Sequence, residues 1–212
     1  MLLTKYLFAT CLILNISQAG TLIPISGKES IFTVEQESPT ILGGTIQSGD
    51  VVVYSIEVDE GKFVRISLPE FHTSNEIGSP ELPEIHKLIE IPQDAVPRIE
   101  IISKEVEYYS LGNYGIEDPI FPHQPSLSKS QDPDDVPFEW NEALYQIDTF
   151  MEHELISVEI KGQLRSLHLA NLVIRPIDYN PVSGVIRVAK SVDFIIHFDG
   201  ADIAKTQVLK EM

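Results

Sequence analysis

Cysteine is almost missing from this chain. The one cysteine among 212 residues, Cys11, sits in an apolar amino-terminal stretch, so the rest of the sequence has neither a disulfide framework nor a thiol nucleophile. Basic residues are also scarce, at 15 against 32 acidic. A phosphate backbone must be neutralised by Lys and Arg, so nucleic acid is excluded as a natural partner, and anionic membrane surfaces are disfavoured. Long apolar runs are missing too: nothing approaches the roughly 20 residues of a spanning helix. The six histidines, His72, His86, His123, His153, His168 and His197, show no ligand spacing such as the i, i+4 pair of zinc helices. No metal and no cofactor is predicted.

Residues 1–19 read as a cleavable signal peptide. Lys5 supplies the positive region, Tyr6 to Ile16 the apolar region, and Ser17-Gln18-Ala19 a small-residue cleavage site. Phe8-Ala9-Thr10 before Cys11 is a poor lipid-attachment box, so the expected product starts at Gly20, is secreted or periplasmic, and keeps no membrane attachment. Removing Lys5, the only charged residue of that leader, takes 15 basic residues to 14 against 32 acidic ones, a net charge of −18. A basic partner, or solubility alone, suits such a charge.

Alternation of apolar and polar residues dominates what remains, broken by Gly, Pro, Asn and Asp, and no long amphipathic helix interrupts it. The pattern predicts strands over Ser30–Val34, Val51–Val58, Lys62–Leu68, Ile85–Ile91, Arg98–Tyr109, Glu154–Lys161, Leu164–Ile177, Val185–Ala189 and Val192–Phe198. The fold class is therefore all-β, an antiparallel sandwich or barrel-like pair of sheets, spanning residues 20–204 with a tail or processing linker over 205–212. Residues 30–68 are expected to form a smaller amino-terminal ladder. Phe194 and Ile196 of the last strand, with Val158 and Ile160, should lie in the core, and Asp193 and His197 outside. The phase slips near Ile102-Ser103 and again between Leu169 and Leu172, which predicts bulges. Turn chemistry marks Ser48-Gly49-Asp50, Asp59-Glu60-Gly61 and Tyr179 to Gly184. Between Gly112 and Trp140 the alternation stops and Pro119, Pro122, Pro125, Pro133 and Pro137 accumulate, a long irregular loop of the kind that tends to carry function.

Few residues offer chemistry. Ser126-Leu127-Ser128-Lys129 matches the Ser-x-x-Lys pattern of penicillin-recognising enzymes but lacks their other motifs, and Ser128, Ser130 and Pro133 do not favour the helix it needs. Asp132-Pro133-Asp134-Asp135 could offer oxygens to calcium, yet it lacks the glycine and closing glutamate of an EF-hand and reads as a solvated acidic loop. Trp140, Tyr108, Tyr109, Tyr114 and Tyr145 could stack on sugars or simply pack. Gly78-Ser79-Pro80-Glu81-Leu82-Pro83 is straightened by its prolines and reads as a docking surface, with Gly78, Pro80, Leu82 and Pro83 its candidate residues.

The order of the Gly-x-Pro-x-Leu-Pro segment, the Pro-rich Phe121 to Ser130 segment, and Val173-Ile174-Arg175-Pro176 leading to Tyr179-Asn180-Pro181 resembles the amino-terminal propeptide of gingipain-like cysteine peptidases (clan CD, family C25). The resemblance is best from Gly78 to His197. It implies a non-enzymatic, all-β inhibitor domain of a zymogen that folds first, assists folding of its peptidase, and covers the active-site cleft until cleaved. The implied partner is the gingipain-like cysteine peptidase catalytic domain, which lies outside these 212 residues. The chain is then either a truncated precursor or a free-standing propeptide-like protein. A basic side chain filling the specificity pocket is the expected device, and Lys129, the one basic residue between Gly112 and Trp140, is the candidate beside its ordinary reading as a solvated lysine. Lys205 and Lys210 are candidate processing positions. The competing expectation is an exported β-sandwich that binds glycan or a cell-surface protein.

Overall fold

The computed structural model describes residues 20–130, 136–151 and 153–211. The expected leader therefore lies outside the described residues, as does the Asp132 to Asp135 cluster. The strands are β1 (Thr21–Ile23), β2 (Ile31–Ser38), β3 (Ile41–Gln47), β4 (Val51–Val58), β5 (Gly61–Ser67), β6 (His72–Thr73), β7 (Pro83–Ile91), β8 (Val96–Ser110), β9 (Ile156–Leu164), β10 (Leu167–Ile174), β11 (Ile177–Asn180) and β12 (Val185–Asp199). Two short helices, α1 (Glu142–Tyr145) and α2 (Ile203–Glu211), complete the elements with a 3₁₀ turn at Leu111–Tyr114. All strand pairs are antiparallel.

β12 is the spine. It pairs with β8 along one edge, while the other edge serves β11 over Val185–Val188 and β3 over Ser191–His197. The expected break at Lys190 is a bulge inside one continuous strand: Ala189 pairs with Val106 and Ser191 with Glu105, leaving Lys190 as the inserted residue. Ser48, fully buried, satisfies the carbonyls freed there, its N–H donating to Lys190 and its hydroxyl to Ala189 at 2.7 Å. One inserted residue inverts the alternation. Ile186 and Val188 consequently enter one core, with β1, β4, β5 and β11, whereas Val192, Phe194, Ile196 and Phe198 enter a second, with β3, β7 and β10.

The bulge expected at Ile102-Ser103 is present, because Asp193 pairs with Ser103 and Phe194 with Ile101. The second slip lies on β9, at Lys161, opposite Leu169 and Ala170. Phe194 and Ile196 are buried and Val158 packs against their core, but Ile160 is 50 % exposed. It stands on the edge strand β9, next to the inserted Lys161. Asp193 lies outside as expected, accepting from Thr45 Oγ1 and Ser103 Oγ.

Three boundaries are corrected. The single strand expected over Leu164–Ile177 contains a two-residue hairpin turn and then the Arg175-Pro176 break. Arg165 holds φ of 57° in that turn, a position usually signalled by Gly or Asn and here unsignalled. Residues 30–68 form two hairpins in different sheets, β2–β3 beside β12 and β4–β5 beside β1. The expected linker 205–212 is helical through Glu211. β3 is unmarked in the sequence because of Gly43-Gly44, yet Gly44 is required: a Cβ there would stand 2.2 Å from Cζ of Phe194.

Candidate functional site

The irregular loop is anchored by backbone hydrogen bonds on both of its neighbours. After the 3₁₀ turn the chain runs beside β5, with Val64 N–H donating to Pro119 and Phe121 N–H to Val64, each at 2.8 Å. Its other side meets the Gly78 segment, where Gly78 donates to His123, His123 to Ser79, and Glu81 to Phe121. The returning limb closes on the same residue, Asn141 N–H donating to the carbonyl of Gly78. Gly78 takes φ of 77°, and a Cβ there would press on the Asn141 backbone nitrogen at 3.2 Å, so a side chain is disfavoured twice.

This geometry changes the reading of Gly78 to Pro83. All six residues are buried, so in this domain the segment expected to dock forms a floor, with Pro80, Leu82 and Pro83 lining the cavity beside it. Its straightness, correctly indicated by Pro80 and Pro83, serves pairing with Phe121 to His123 inside the domain. Glu81 is the one charged residue in it. Its carboxylate accepts from Arg65 Nε at 2.7 Å and lies 3.1 Å from Nδ1 of His123, fixing the outgoing limb to β5. Arg65 also covers the Phe121 ring at 5.1 Å.

Under the loop lies an aromatic cluster. Phe63 contacts Phe121, Phe138 and Trp140, with centroids 5.4 to 5.7 Å apart, and Trp140 stacks edge-on against Tyr145. The Tyr145 hydroxyl donates to Ile120, and burial raises its pKa far above the usual tyrosine value. Tyr109 donates to Glu107, and Tyr108, on the outer face of β8, packs on Phe150. Of the aromatics proposed for sugar stacking, Trp140 and Tyr145 share the loop-base cluster, Tyr109 and Tyr114 pack against the first core, and Tyr108 lies apart on Phe150.

Above this base Ser126 to Ser130 is exposed, with Lys129 at a turn. No helix forms over Ser126–Lys129, which removes the geometry the Ser-x-x-Lys reading needs. Gln124 was not singled out in the sequence, although it joins the two limbs: Nε2 donates to Pro122 and Glu139 carbonyls at 2.9 and 2.8 Å, and Oε1 accepts from Glu139 N–H at 2.9 Å.

The remaining candidates lie elsewhere. Lys205 and Lys210 are on α2, where Lys205 Nζ is 2.8 Å from Asp94 and Lys210 Nζ 2.6 Å from Glu90. The histidines are dispersed, His86 on Glu84, His197 on Glu100 and His168 near the Pro92 carbonyl. Among the described residues no group of His, Cys, Asp and Glu could hold a metal ion, and no helix is long and apolar enough to cross a membrane. Beside the Gly78 segment a cavity of about 360 Å³ opens between Leu82, Leu144, Ile147, Met151, Glu84 and Arg175.

Comparison with known proteins gives these features a context. The family model of C25 propeptides (Propeptide_C25) matches residues 45–211. Lys-gingipain HG66 and Lys-gingipain W83 of Porphyromonas gingivalis are each 39 % identical over 160 residues, covering 76 % of this chain and 9 % of the relative. The chain thus spans less than a tenth of the length of the curated relatives it matches. A structure described as giving insight into zymogenic latency of gingipain K from P. gingivalis superposes with a TM-score of 0.79 at 33 % identity, covering 86 % of this chain and 100 % of that one. A second, the complex of P. gingivalis RgpB pro- and mature domains, matches at a TM-score of 0.67 and 16 % identity, over 80 % of this chain and 86 % of that one, and shows the shared fold. With a family match over most of its length and relatives at 39 % identity, the chain belongs to the C25 propeptide family and is a propeptide domain of the cysteine peptidase precursor type.

Proposed function

We propose that this domain is exported, assists the folding of a gingipain-like cysteine peptidase, and keeps it latent by covering its active-site cleft, with Lys129 filling the specificity pocket. The observation that carries the reading is the contrast within one loop: a base fixed by paired backbone and the buried Glu81, and an exposed lysine flanked by Ser128 and Ser130 above it. Small neighbours let the turn that carries Lys129 enter a narrow cleft. The net −18 of the domain without its leader suits a basic enzyme surface. The relatives support the same direction, since one related structure concerns zymogenic latency and another holds pro- and mature domains together.

A lysine ammonium buried against a pocket carboxylate is desolvated, and truncating one member of such a pair costs about 2–5 kcal/mol. That is roughly 30-fold or more in the inhibition constant. The test compares wild type, Lys129→Ala and the strand control Lys104→Ala against mature Lys-gingipain. Inhibition should weaken for the first variant alone. Equal inhibition by Lys129→Ala and wild type would remove Lys129 as the plug. The final release is proposed to involve cleavage in α2 at Lys205 or Lys210.

A further inference from the structure

The outgoing limb of the loop contains Pro122, Gln124 and Pro125, and the two prolines leave it short of backbone donors. Pro122 bridges to Pro80, and the chain from Pro122 through Pro125 forms no turn. Gln124 supplies a donor from its side chain, with Nε2 2.9 Å from the Pro122 carbonyl. The same amide then crosses to the returning limb and pairs with both backbone groups of Glu139, at 2.8 and 2.9 Å. One half-buried side chain thus imitates a strand pair across the mouth of the loop. Below it the two limbs already share Gly78, so the amide is not needed to close the domain. Its position is five residues from Lys129.

We propose that Gln124 is a positioning residue for Lys129: by pinning both limbs above the Gly78 floor it pre-orders the Ser126–Ser130 stretch that enters the peptidase. The inference rests on the reading of Lys129 as the pocket-filling side chain. Loop ordering that is completed before binding need not be paid for during binding, so the clamp acts on inhibition more than on folding. It predicts that Gln124→Met, which keeps length and volume but loses all three hydrogen bonds, weakens inhibition of mature Lys-gingipain about five- to tenfold while shifting the unfolding midpoint little.

The decisive measurement is a double-mutant cycle on the inhibition constant with wild type, Gln124→Met, Lys129→Ala and the double variant, using the full chain from Gly20. Residues that act through each other are non-additive. Gln124→Met should therefore lose its effect in the Lys129→Ala background. A purely structural role would weaken both backgrounds equally and would lower the unfolding midpoint. If Lys129→Ala alone leaves inhibition unchanged, the reading of Lys129 fails. If Lys129→Ala weakens inhibition but Gln124→Met does not, or does so equally in both backgrounds, the positioning role fails alone. Gln124→Ala serves as the second variant, and the same cycle applies to it should methionine disturb the fold.

Discussion

Removing the carboxylate of Glu81 tests how the loop base is held. The side chain is 8 % exposed and engages Arg65 Nε at 2.7 Å and His123 Nδ1 at 3.1 Å. Hydrogen bonds to a charged group each contribute about 1.5–3 kcal/mol, and breaking a buried pair leaves the surviving partner to find water. Arg65 is 43 % exposed and rehydrates readily, whereas His123 at 23 % does so less well, which moves the expected cost of Glu81→Ala down from the sum of two full bonds. The result is about 2–4 kcal/mol, or roughly 5–15 °C in the unfolding midpoint for a domain of this size. Glu81→Gln keeps an oxygen for Arg65 and should fall between wild type and alanine. Urea and thermal unfolding followed by circular dichroism give the stability. Fluorescence of Trp140, packed on Phe63 in the same base, reports the local change. The pair Arg98–Asp199 is the control, exposed by 55 % and 53 %, and Asp199→Ala should leave the midpoint where it is. Stability of Glu81→Ala within about 0.5 kcal/mol of wild type, the range of ordinary surface changes, would refute the role of Glu81 in holding the loop base.

Further outcomes follow from other sites. Gly44→Ala drives a methyl into the Phe194 ring, with Cβ 2.2 Å from Cζ, and should cost about 1–3 kcal/mol; Phe194→Leu should partly relieve it, and additive losses would show that the two do not compete for space. Asp50 accepts the N–H groups of Ile25, Ser26 and Gly27; partial burial pushes its carboxyl upward, but the three donors outweigh this and hold it below the usual range. Its contribution is therefore present above the unfolded value near about 4 and lost as pH falls through the lower folded value, so the gap in unfolding free energy between wild type and Asp50→Asn should narrow only in that acid window and stay flat from pH 5 to 8. Asp202 caps α2 by accepting Lys205 N–H at 2.8 Å. Cleavage at Lys205 requires that helix to open, and Asp202→Ala, costing about 0.5–2 kcal/mol of helix stability, should speed it by about two- to thirtyfold in limited proteolysis read by mass spectrometry. An unchanged rate would mean the cut does not pass through helix opening.

The sequence alone determined the fold class, because alternation with period two over β4, β5, β7, β8 and β12 admits only half-buried sheet, and the Asn180 turn carried its chemistry openly: its Oδ1 accepts from Val182 and Ser183 before Gly184 at φ of 61°. The phase slip on β8 was legible as a bulge for the same reason, since one extra residue must invert the pattern. The order of the Gly78, Phe121 and Val173 segments was enough to indicate the family. Other features were decided only by tertiary structure. β3 carries two glycines that weaken any strand signal, and the need for Gly44 exists only because Phe194 arrives from the far end of the chain. The Gly78 segment was recognised as straight, but straightness has the same local cause on a surface and in an interior. Its burial depends on β5 and Phe121 to His123 closing over it. Glu81, Arg65, His123 and Gln124 have no motif spacing, because their partners lie 15 to 42 residues away in sequence and are brought into contact by pairing of the limbs. Local periodicity reports which face of a strand is buried; which strands meet, and what they enclose, is set by long-range packing that no short window of sequence contains.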